Sequence, residues 1–210
     1  MSIICIEGAS GVGKSTVCDV LEKEHGYKKI PEVNYLFKRP PNPSATWYFE
    51  KQVERWNLAK ELSRNDELVV LDGDPFQPLW YNWIFSNDEI QPLSDVIEFY
   101  FSAVEQGRIK FPDRYFILTA PESALRKRKE GDTERLRRNF ESHLRLIRPQ
   151  LDYFAAFNTS QPNAVSVLES GAVSTTVEQI LASAISLNRD CSHLNLFKRQ
   201  RNFVNNTRAD

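Results

Sequence analysis

The sequence predicts a three-layer α/β fold, in which a five-stranded parallel sheet carries helices on both faces. Short apolar runs, each bounded by charges or turns, alternate with longer segments of helical period. Continuous apolar runs are typical of strands buried on both faces, and strands that alternate with helices form parallel sheets. We therefore expect strands at residues 3–6, 27–30, 68–71, 115–118 and 164–168.

The segments between these strands have the apolar spacing of helices. Residues 34–44 contain three prolines and no clean period, so they are expected to form a loop. We predict helices from the end of the glycine loop to about residue 26, at 45–64, at 92–107, from Pro121 onward, at 133–154 with a kink near Pro149, and at about 177–185.

Length and charge indicate one domain with a short tail. A chain of 210 residues can bury a full core as a single α/β domain. We assign residues 1–187 to that domain and 188–210 to a basic, partly ordered C-terminal tail. The formal net charge of −1 gives no global attraction to nucleic acid or to a membrane surface, and no apolar stretch approaches the length of a membrane span.

The three cysteines indicate a reducing environment. Cys5, Cys18 and Cys191 have neither the spacing of a zinc site nor that of a disulfide framework. The first strand begins almost at once, which leaves no room for a signal peptide. We expect a cytoplasmic protein with no membrane partner, and a homodimer stays open.

A phosphate-binding loop is the most specific motif of the chain. Residues 8–15 read G-A-S-G-V-G-K-S, between an apolar strand and a helix, which is the context that the G-x-x-x-x-G-K-[ST] pattern requires. Glycines let backbone N–H groups surround a phosphate, the Lys14 ammonium can reach the β and γ phosphates, and the Ser15 hydroxyl can ligate Mg²⁺. A glycine-rich turn without a ligand is the alternative. The predicted triphosphate-binding residues are Gly8, Ala9, Ser10, Gly11, Val12, Gly13, Lys14, Ser15 and Thr16.

An acidic residue closes the third predicted strand. Asp72 follows four apolar residues, at the sheet edge where ligands of open α/β sheets bind. A carboxylate there can hold the Mg²⁺ shell, and Asp74 is a weaker candidate for the same role. The alternative is a pair of turn-forming residues before Pro75.

A basic segment follows the fourth strand. Residues 126–148 contain nine Lys or Arg against four acids. Such a run is usually a solvated helix face, but a break at Gly131 suggests a helical lid over about 126–138 that closes on phosphates. Arg128 and Arg135 are the candidate lid residues that neutralise the transferring phosphoryl group.

Candidate acceptor residues lie between the second and third strands. Glu32 follows the second strand and could take a proton from a substrate hydroxyl, or it could simply cap a helix. Gln52 could pair with the edge of a base, or it could be an ordinary surface glutamine. Aromatic residues are dense here and in the Trp-rich stretch 76–85, so one or two could stack on a planar substrate.

The order of these elements resembles the P-loop NTPase fold of nucleoside and nucleotide kinases, especially deoxynucleoside and thymidylate kinases. The resemblance covers about residues 3–187. It implies a general base at Glu32, a base-reading glutamine at Gln52 and an adenine seat at 169–171, which includes Gly171. Those kinases usually have an arginine after the acid of the third strand, whereas Gly73 follows Asp72 here, so Lys38, Arg39 or a lid arginine would have to replace it.

These observations predict an ATP- and Mg²⁺-dependent kinase for a small acceptor, either a nucleoside, a nucleotide or a similar compound. A phosphate acceptor would need no strong base and would make Arg39 more important. An antibiotic-modifying kinase of similar fold and a regulatory ATP-binding protein or NTPase are the alternatives. Nucleic-acid binding by the basic tail is not expected, because a solvated tail explains its charge.

Overall fold

The sheet has five parallel strands, as the sequence predicts. The structure is a computed structural model that describes residues 2–65, 67–86, 91–131, 140–183 and 192–209. The strands are β1 (Ser2–Gly8), β2 (Tyr27–Ile30), β3 (Leu68–Asp72), β4 (Arg114–Thr119) and β5 (Val165–Glu169). Their spatial order is β2-β3-β1-β4-β5, so the first strand lies at the centre of the sheet.

The register brings the carboxyl ends of four strands to one edge of the sheet. Ile6 of β1 lies opposite Asp72 of β3, and Ile30 of β2 lies opposite Leu71. Gly8 at the end of β1 lies opposite Leu118 of β4. The glycine loop and the residues that follow β2 and β3 therefore start from the same edge of the sheet.

Helices cover both faces of this sheet. They are α1 (Lys14–His25), α2 (Val33–Leu36), α3 (Trp47–Arg64), α4 (Gln77–Ile84), α5 (Leu93–Glu105), α6 (Glu122–Glu130), α7 (Phe140–Arg145), α8 (Ile147–Ser160), α9 (Val173–Ser183) and α10 (His193–Asn206). The connection from β1 through α1 to β2 and the connection from β2 through α3 to β3 run in opposite directions across the sheet. Because such connections are right-handed, α1 and α3 lie on opposite faces of the sheet. α1 contacts α9 on one face, whereas α3, α4, α5, α8 and α10 contact one another in a chain on the other.

Two predicted segments differ from the structure. The helix expected at 133–154 is divided at Leu146 into α7 and α8, and residues 132–139 lie outside the described part of the chain. Pro149 lies in the first turn of α8. Backbone N–H groups of a first turn have no hydrogen-bond partner within the helix, so a proline there breaks no hydrogen bond and causes no kink. The expected loop at 34–44 contains the end of α2, a single helical turn.

The C-terminal segment also differs from the partly ordered tail that we expected. Residues 193–206 form α10, which packs against α5 and α8. Its apolar face consists of Leu196, Phe197 and Val204, which are buried and have helical spacing among polar and basic residues. The indole N–H of Trp83 donates to the Thr207 carbonyl at 3.0 Å, which links α4 to the end of this helix.

Among the residues that the structure describes, no helix is both long and apolar enough to span a membrane.

Replacing Phe197 tests whether α10 belongs to the core. Phe197 is fully buried, and its ring lies against Phe76 and Phe101. Phe197→Ala should lower the free energy of unfolding by about 3–5 kcal/mol, because it removes buried apolar surface and leaves a cavity. Urea denaturation followed by tryptophan fluorescence measures this change. The neighbouring Lys198→Ala, on the exposed face of the helix, is the matched control. Equal stabilities for the two variants would show that α10 is not packed as described.

Candidate active site

The loop between β1 and α1 has the geometry of a phosphate-binding loop. Gly13 caps the N-terminus of α1 with a φ of +104°, a left-handed conformation that favours glycine. A Cβ on Gly8 would lie 2.3 Å from the Leu118 carbonyl oxygen, so this position must be a glycine for β1 and β4 to approach. The N-terminus of α1, and with it the positive end of the helix dipole, lies directly after the loop.

Lys14 lies between the loop and a set of carboxylates. Its ammonium donates to the Gly8 carbonyl at 2.8 Å and lies 4.0 Å from a carboxylate oxygen of Glu32. Burial lowers the pKa of Lys14, but the negative charges of Glu7, Glu32 and Asp72 outweigh burial and raise it above its ordinary value. The side chain is therefore a fixed positive charge at neutral pH.

Glu7 is a site residue that the sequence analysis missed. It is 3% exposed, and its two carboxylate oxygens accept from the backbone N–H groups of Gly8 at 2.7 Å and Asp74 at 2.8 Å. Burial raises its pKa, while the charge of Lys14 and these two hydrogen bonds partly oppose that rise. An acidic residue directly before Gly8 in an apolar strand was the signal available in the sequence.

Asp72 lies at the predicted position, at the end of β3. It is 2% exposed, and its Oδ2 lies 3.5 Å from the ammonium of Lys29. Its Oδ1 is buried and accepts no hydrogen bond from the described residues. The negative charge of Asp72 acts on Cys18, one turn after Ser15 on α1. A carboxylate oxygen without a donor is a ligand type that Mg²⁺ prefers, and the Ser15 hydroxyl, which lines the neighbouring cavity, is the second candidate ligand.

Asp74 does not share this position. Its Oδ1 accepts from the Phe76 N–H and the Tyr115 hydroxyl, and its Oδ2 accepts from the Trp80 indole N–H, each at 3.0 Å. Burial raises the pKa of Asp74 to about 7. The side chain therefore holds the turn after β3 to the core, so the metal role considered for it is not supported by this geometry.

Arg55 of α3 is a second residue that the sequence analysis missed. Its guanidinium is 1% exposed and donates to the carbonyl oxygens of Pro31 at 2.7 Å, Asp72 at 2.8 Å and Gly73 at 2.9 Å. It also donates to the side chain of Gln52 at 2.9 Å. A buried arginine of α3 thus lies beside the acid of β3, whereas Arg39, suggested by the sequence for this role, lies elsewhere in the site.

Glu32 lies where three cavities meet. It precedes α2, and its carboxylate is 40% exposed. A cavity of 360 Å³ lies on the α1 side, one of 570 Å³ lies between α3 and α4, and a small one of 80 Å³ lies between them. Glu32 lines all three cavities, and Lys14 lines the 360 Å³ cavity and the 80 Å³ cavity. Because the sequence predicts a phosphoryl transfer between two substrates, we call them the donor cavity, the acceptor cavity and the central cavity.

The donor cavity collects most of the predicted triphosphate-binding residues. Its lining includes Gly171 and, from the loop and α1, Gly11, Val12, Gly13, Lys14, Ser15 and Thr16. Gly8 and Ser10 line the central cavity instead, and Ala9 is buried in the core with 5% exposure. Thr176 and Val173 of α9 form the far wall beside Gly171.

Arg128 contacts the phosphate loop itself. Its guanidinium donates to the Val12 carbonyl at 3.1 Å and to the Ser170 carbonyl at 2.7 Å, so it joins the loop to the segment after β5. It also lines the donor cavity. Arg135 lies outside the described residues, as does most of the expected lid.

The acceptor cavity contains Arg39 but not Gln52. Arg39 is exposed, and its guanidinium lies 6.0 Å from the centre of the Trp47 ring. Gln52 is 1% exposed and lines the central cavity. His143 of α7 lines both the acceptor and the central cavity, and burial with the nearby charge of Lys14 lowers its pKa to about 4. The imidazole is therefore neutral at pH 7.

The raised pKa of Asp74 gives a pH-dependent stability. The folded protein keeps this proton up to a pH of about 7, whereas an ordinary aspartate loses it near 3.8. Ionisation of Asp74 therefore lowers the free energy of unfolding of the wild type as the pH rises from 3.8 to about 7. Asp74→Asn should be less stable than the wild type at pH 5, and the gap should narrow by at most about 3 kcal/mol by pH 8, since each pH unit between 5 and about 7 corresponds to about 1.4 kcal/mol.

Urea denaturation at a series of pH values measures this gap. Asp95→Asn, at an exposed carboxylate in the first turn of α5, controls for the loss of one negative charge. A gap that stays constant or widens toward pH 8 would contradict the assignment.

Comparison with known proteins shows which solved structures share the fold of this chain. No protein-family model matches the chain, and no curated protein matches it by sequence. Solved structures that superimpose on it include deoxyadenosine kinase from M. mycoides with bound dCTP, with a TM-score of 0.56 and 21% identity over 86% of this chain and 97% of that one. The same enzyme with bound dATP has a TM-score of 0.56 and 20% identity, with the same coverage.

Thymidylate kinase from Candida albicans is similar to the same extent. It has a TM-score of 0.56 and 16% identity, and the match covers 89% of this chain and 95% of that one. At these identities the likeness concerns the fold. The chain therefore has the fold of the P-loop nucleoside and nucleotide kinases, which confirms the fold that the motif order predicts.

Proposed function

We propose that this protein transfers the γ-phosphoryl group of ATP to a small acceptor, either a nucleoside or a nucleotide. The observation that carries the proposal is the junction of the donor and acceptor cavities at Glu32, beside Lys14. A phosphate-binding loop on one side and a separate cavity on the other suit a reaction between two bound substrates. The shared fold with deoxyadenosine and thymidylate kinases supports the same reaction type.

The donor side of the reaction rests on the phosphate loop. Backbone N–H groups of the loop and the N-terminus of α1 would hold the phosphates, and the adenine would lie near Gly171. Lys14 would leave the Gly8 carbonyl for the β and γ phosphates and neutralise the charge of the transferring group. Mg²⁺, held by Ser15 and Asp72, would polarise the phosphates.

On the acceptor side, Glu32 would act as the general base. Its carboxylate would take the proton of an acceptor hydroxyl as that oxygen forms a bond to the γ phosphorus. The bond between the γ phosphorus and the β–γ bridging oxygen would break, and ADP would leave with the electron pair. For a phosphate acceptor, which is already an oxyanion, no proton has to move and Arg39 would help to bind it.

Several earlier expectations stay proposals. Arg128 and Arg135 would stabilise the transferring group, although Arg128 is bonded to the loop carbonyls in the described state. Cys5 and Cys18 are free and buried thiols, which together with ATP use supports a cytoplasmic site of action. A homodimer stays a prediction.

Replacing Lys14 tests the phosphotransfer itself. Lys14→Ala should lower kcat by about 100-fold or more, because a fixed positive charge at the transferring group is lost. The measurement is acceptor-dependent ADP release with deoxynucleosides, ribonucleosides, their 5′-monophosphates and hydroxylated antibiotics. Lys28→Ala is the control, since this half-exposed lysine of β2 pairs with Glu67 on the surface.

The same panel discriminates the competing functions. An antibiotic as the preferred acceptor would indicate a resistance kinase. No acceptor-dependent turnover by the wild type, with ATP hydrolysis that responds to a macromolecule, would replace the proposal with a regulatory NTPase.

Replacing Glu32 tells a hydroxyl acceptor from a phosphate acceptor. Glu32→Gln keeps the size of the side chain but removes its basicity. It should lower kcat by about 100-fold or more for a hydroxyl acceptor, within the range that general base catalysis contributes. A monophosphate acceptor should lose much less, and unchanged turnover of a nucleoside would contradict the role of Glu32.

A further inference from the structure

Lys29 of β2 places its ammonium between two carboxylates. Its Nζ donates to Asp19 Oδ1 of α1 at 2.7 Å and lies 3.5 Å from Asp72 Oδ2 at the end of β3. The side chain of Asp72 is 3% exposed and that of Lys29 is 15% exposed, whereas the Asp19 side chain is half-exposed. One ammonium thus contacts both a buried carboxylate, which is a candidate metal ligand, and a second carboxylate near the surface.

The sheet register places Lys29 and Asp72 on the same face. Lys29 lies opposite Val70, and Asp72 follows Val70 by two residues, so the two charged side chains leave the sheet on one side. α1 covers this side and supplies Asp19. The backbone N–H of Lys29 also donates to Glu22 Oε1 of α1 at 3.2 Å. Contacts with α1 therefore hold Lys29 at both its backbone and its ammonium.

Asp72 needs a neighbouring cation because it is almost completely buried. Burying a carboxylate without a counter-charge is costly. Lys14 lines the central cavity together with Asp72, but its ammonium bonds to the Gly8 carbonyl and pairs with Glu32. Among the described residues, Lys29 is the cation that forms an ion pair with Asp72.

A divalent cation bound by Asp72 would meet this ammonium. Asp72 lines the central cavity, whereas Lys29 lines none of the three cavities. Two cations beside one carboxylate repel each other, and the repulsion is strong where little water is present. The Lys29 ammonium therefore lowers the affinity of Asp72 for the metal ion. Asp19 opposes this effect, because the closer contact of the ammonium is the one with Asp19.

We propose that Lys29 and Asp19 together set the affinity of Asp72 for a divalent cation. Lys29 compensates the buried charge and weakens cation binding, and Asp19 limits that effect by drawing the ammonium toward α1. Lys29 is a positioning residue, since it acts through Asp72 and not on a substrate. The inference rests on the proposed function, in which Asp72 and Ser15 hold Mg²⁺. The negative charges of a triphosphate would offset the repulsion from Lys29, so the cation binds best together with the nucleotide.

Two variants should change Mn²⁺ binding in opposite directions. Lys29→Met keeps most of the apolar stem and removes the charge, so it should lower the Kd for Mn²⁺ by about 10-fold. Asp19→Asn frees the ammonium to move toward Asp72, so it should raise that Kd by about threefold or more. The measurement is the electron paramagnetic resonance signal of free Mn²⁺, on the full chain without nucleotide and then with a non-hydrolysable ATP analogue. Damage to the fold would weaken binding in both variants.

Two further variants identify the carboxylates involved. Glu22→Gln removes an exposed charge one turn from Asp19 but keeps an oxygen for the Lys29 N–H, so it should change the Kd by less than about twofold. Asp72→Asn should weaken Mn²⁺ binding. In that background Lys29→Met should change the Kd by less than about twofold, because the carboxylate beside the ammonium is gone. An equal gain from Lys29→Met with and without Asp72 would overturn the inference.

Metal binding distinguishes failure of this inference from failure of the proposed function, because it needs no acceptor and no turnover. Opposite shifts in Kd support the role of Lys29 even if no acceptor is phosphorylated. Phosphotransfer by the wild type with unchanged Kd values, or with shifts in the same direction, overturns the inference and leaves the kinase intact. No Mn²⁺ binding by the wild type and Lys29→Met in either condition overturns it as well.

Asp19→Asn keeps the test valid if Lys29→Met fails to fold. Asp19 is half-exposed on α1, so its replacement disturbs the core little. A Kd for Mn²⁺ that does not rise in Asp19→Asn, relative to Glu22→Gln, then overturns the inference.

Discussion

The Glu7 carboxylate is the contact on which the geometry of the site depends. It lies at the end of the central strand and bonds to the first N–H of the phosphate loop and to the N–H of Asp74 after β3. Two turns that must leave the sheet at the same place are thus held by one buried side chain. Its charge also attracts Lys14, so the lysine that would meet the phosphates is oriented before any substrate is present.

Arg55 supports the acceptor side as Glu7 supports the donor side. Its guanidinium binds carbonyl oxygens from the segments after β2 and β3, beneath the carboxylates of Glu32 and Asp72. Gly73 has a φ of +91°, and a Cβ there would lie 3.5 Å from the Glu32 side chain. An arginine at position 73 would be strained, whereas Arg55 brings a positive charge beside the acid of β3 from α3.

What could be predicted from the sequence is what is local in the chain. The phosphate loop carries its own glycines, lysine and helix start, and the apolar runs of the buried strands are continuous, so both were found. Arg55 acts through contacts with residues far away in the sequence, and no spacing within one segment reveals it. Glu7 left a weaker signal, an acidic residue within an apolar strand. α10 was missed although its buried residues have helical spacing, because the basic residues around them were interpreted as a solvated tail. Gln52 was placed on the right helix, but its partner Arg55 was not foreseen.

Contacts from α6 and α7 link the two halves of the site. Arg128 of α6 binds the phosphate loop, and His143 of α7 lines the acceptor cavity. The two helices are joined by a bidentate pair in which Arg126 donates to both oxygens of Glu141, at 2.8 and 2.9 Å. The Lys129 ammonium also lies 4.6 Å from the centre of the buried Phe140 ring, so a second contact holds α6 to α7. In the proposed reaction, ATP would contact α6 through Arg128 and the acceptor would contact α7 through His143, so both substrates would meet the same pair of helices.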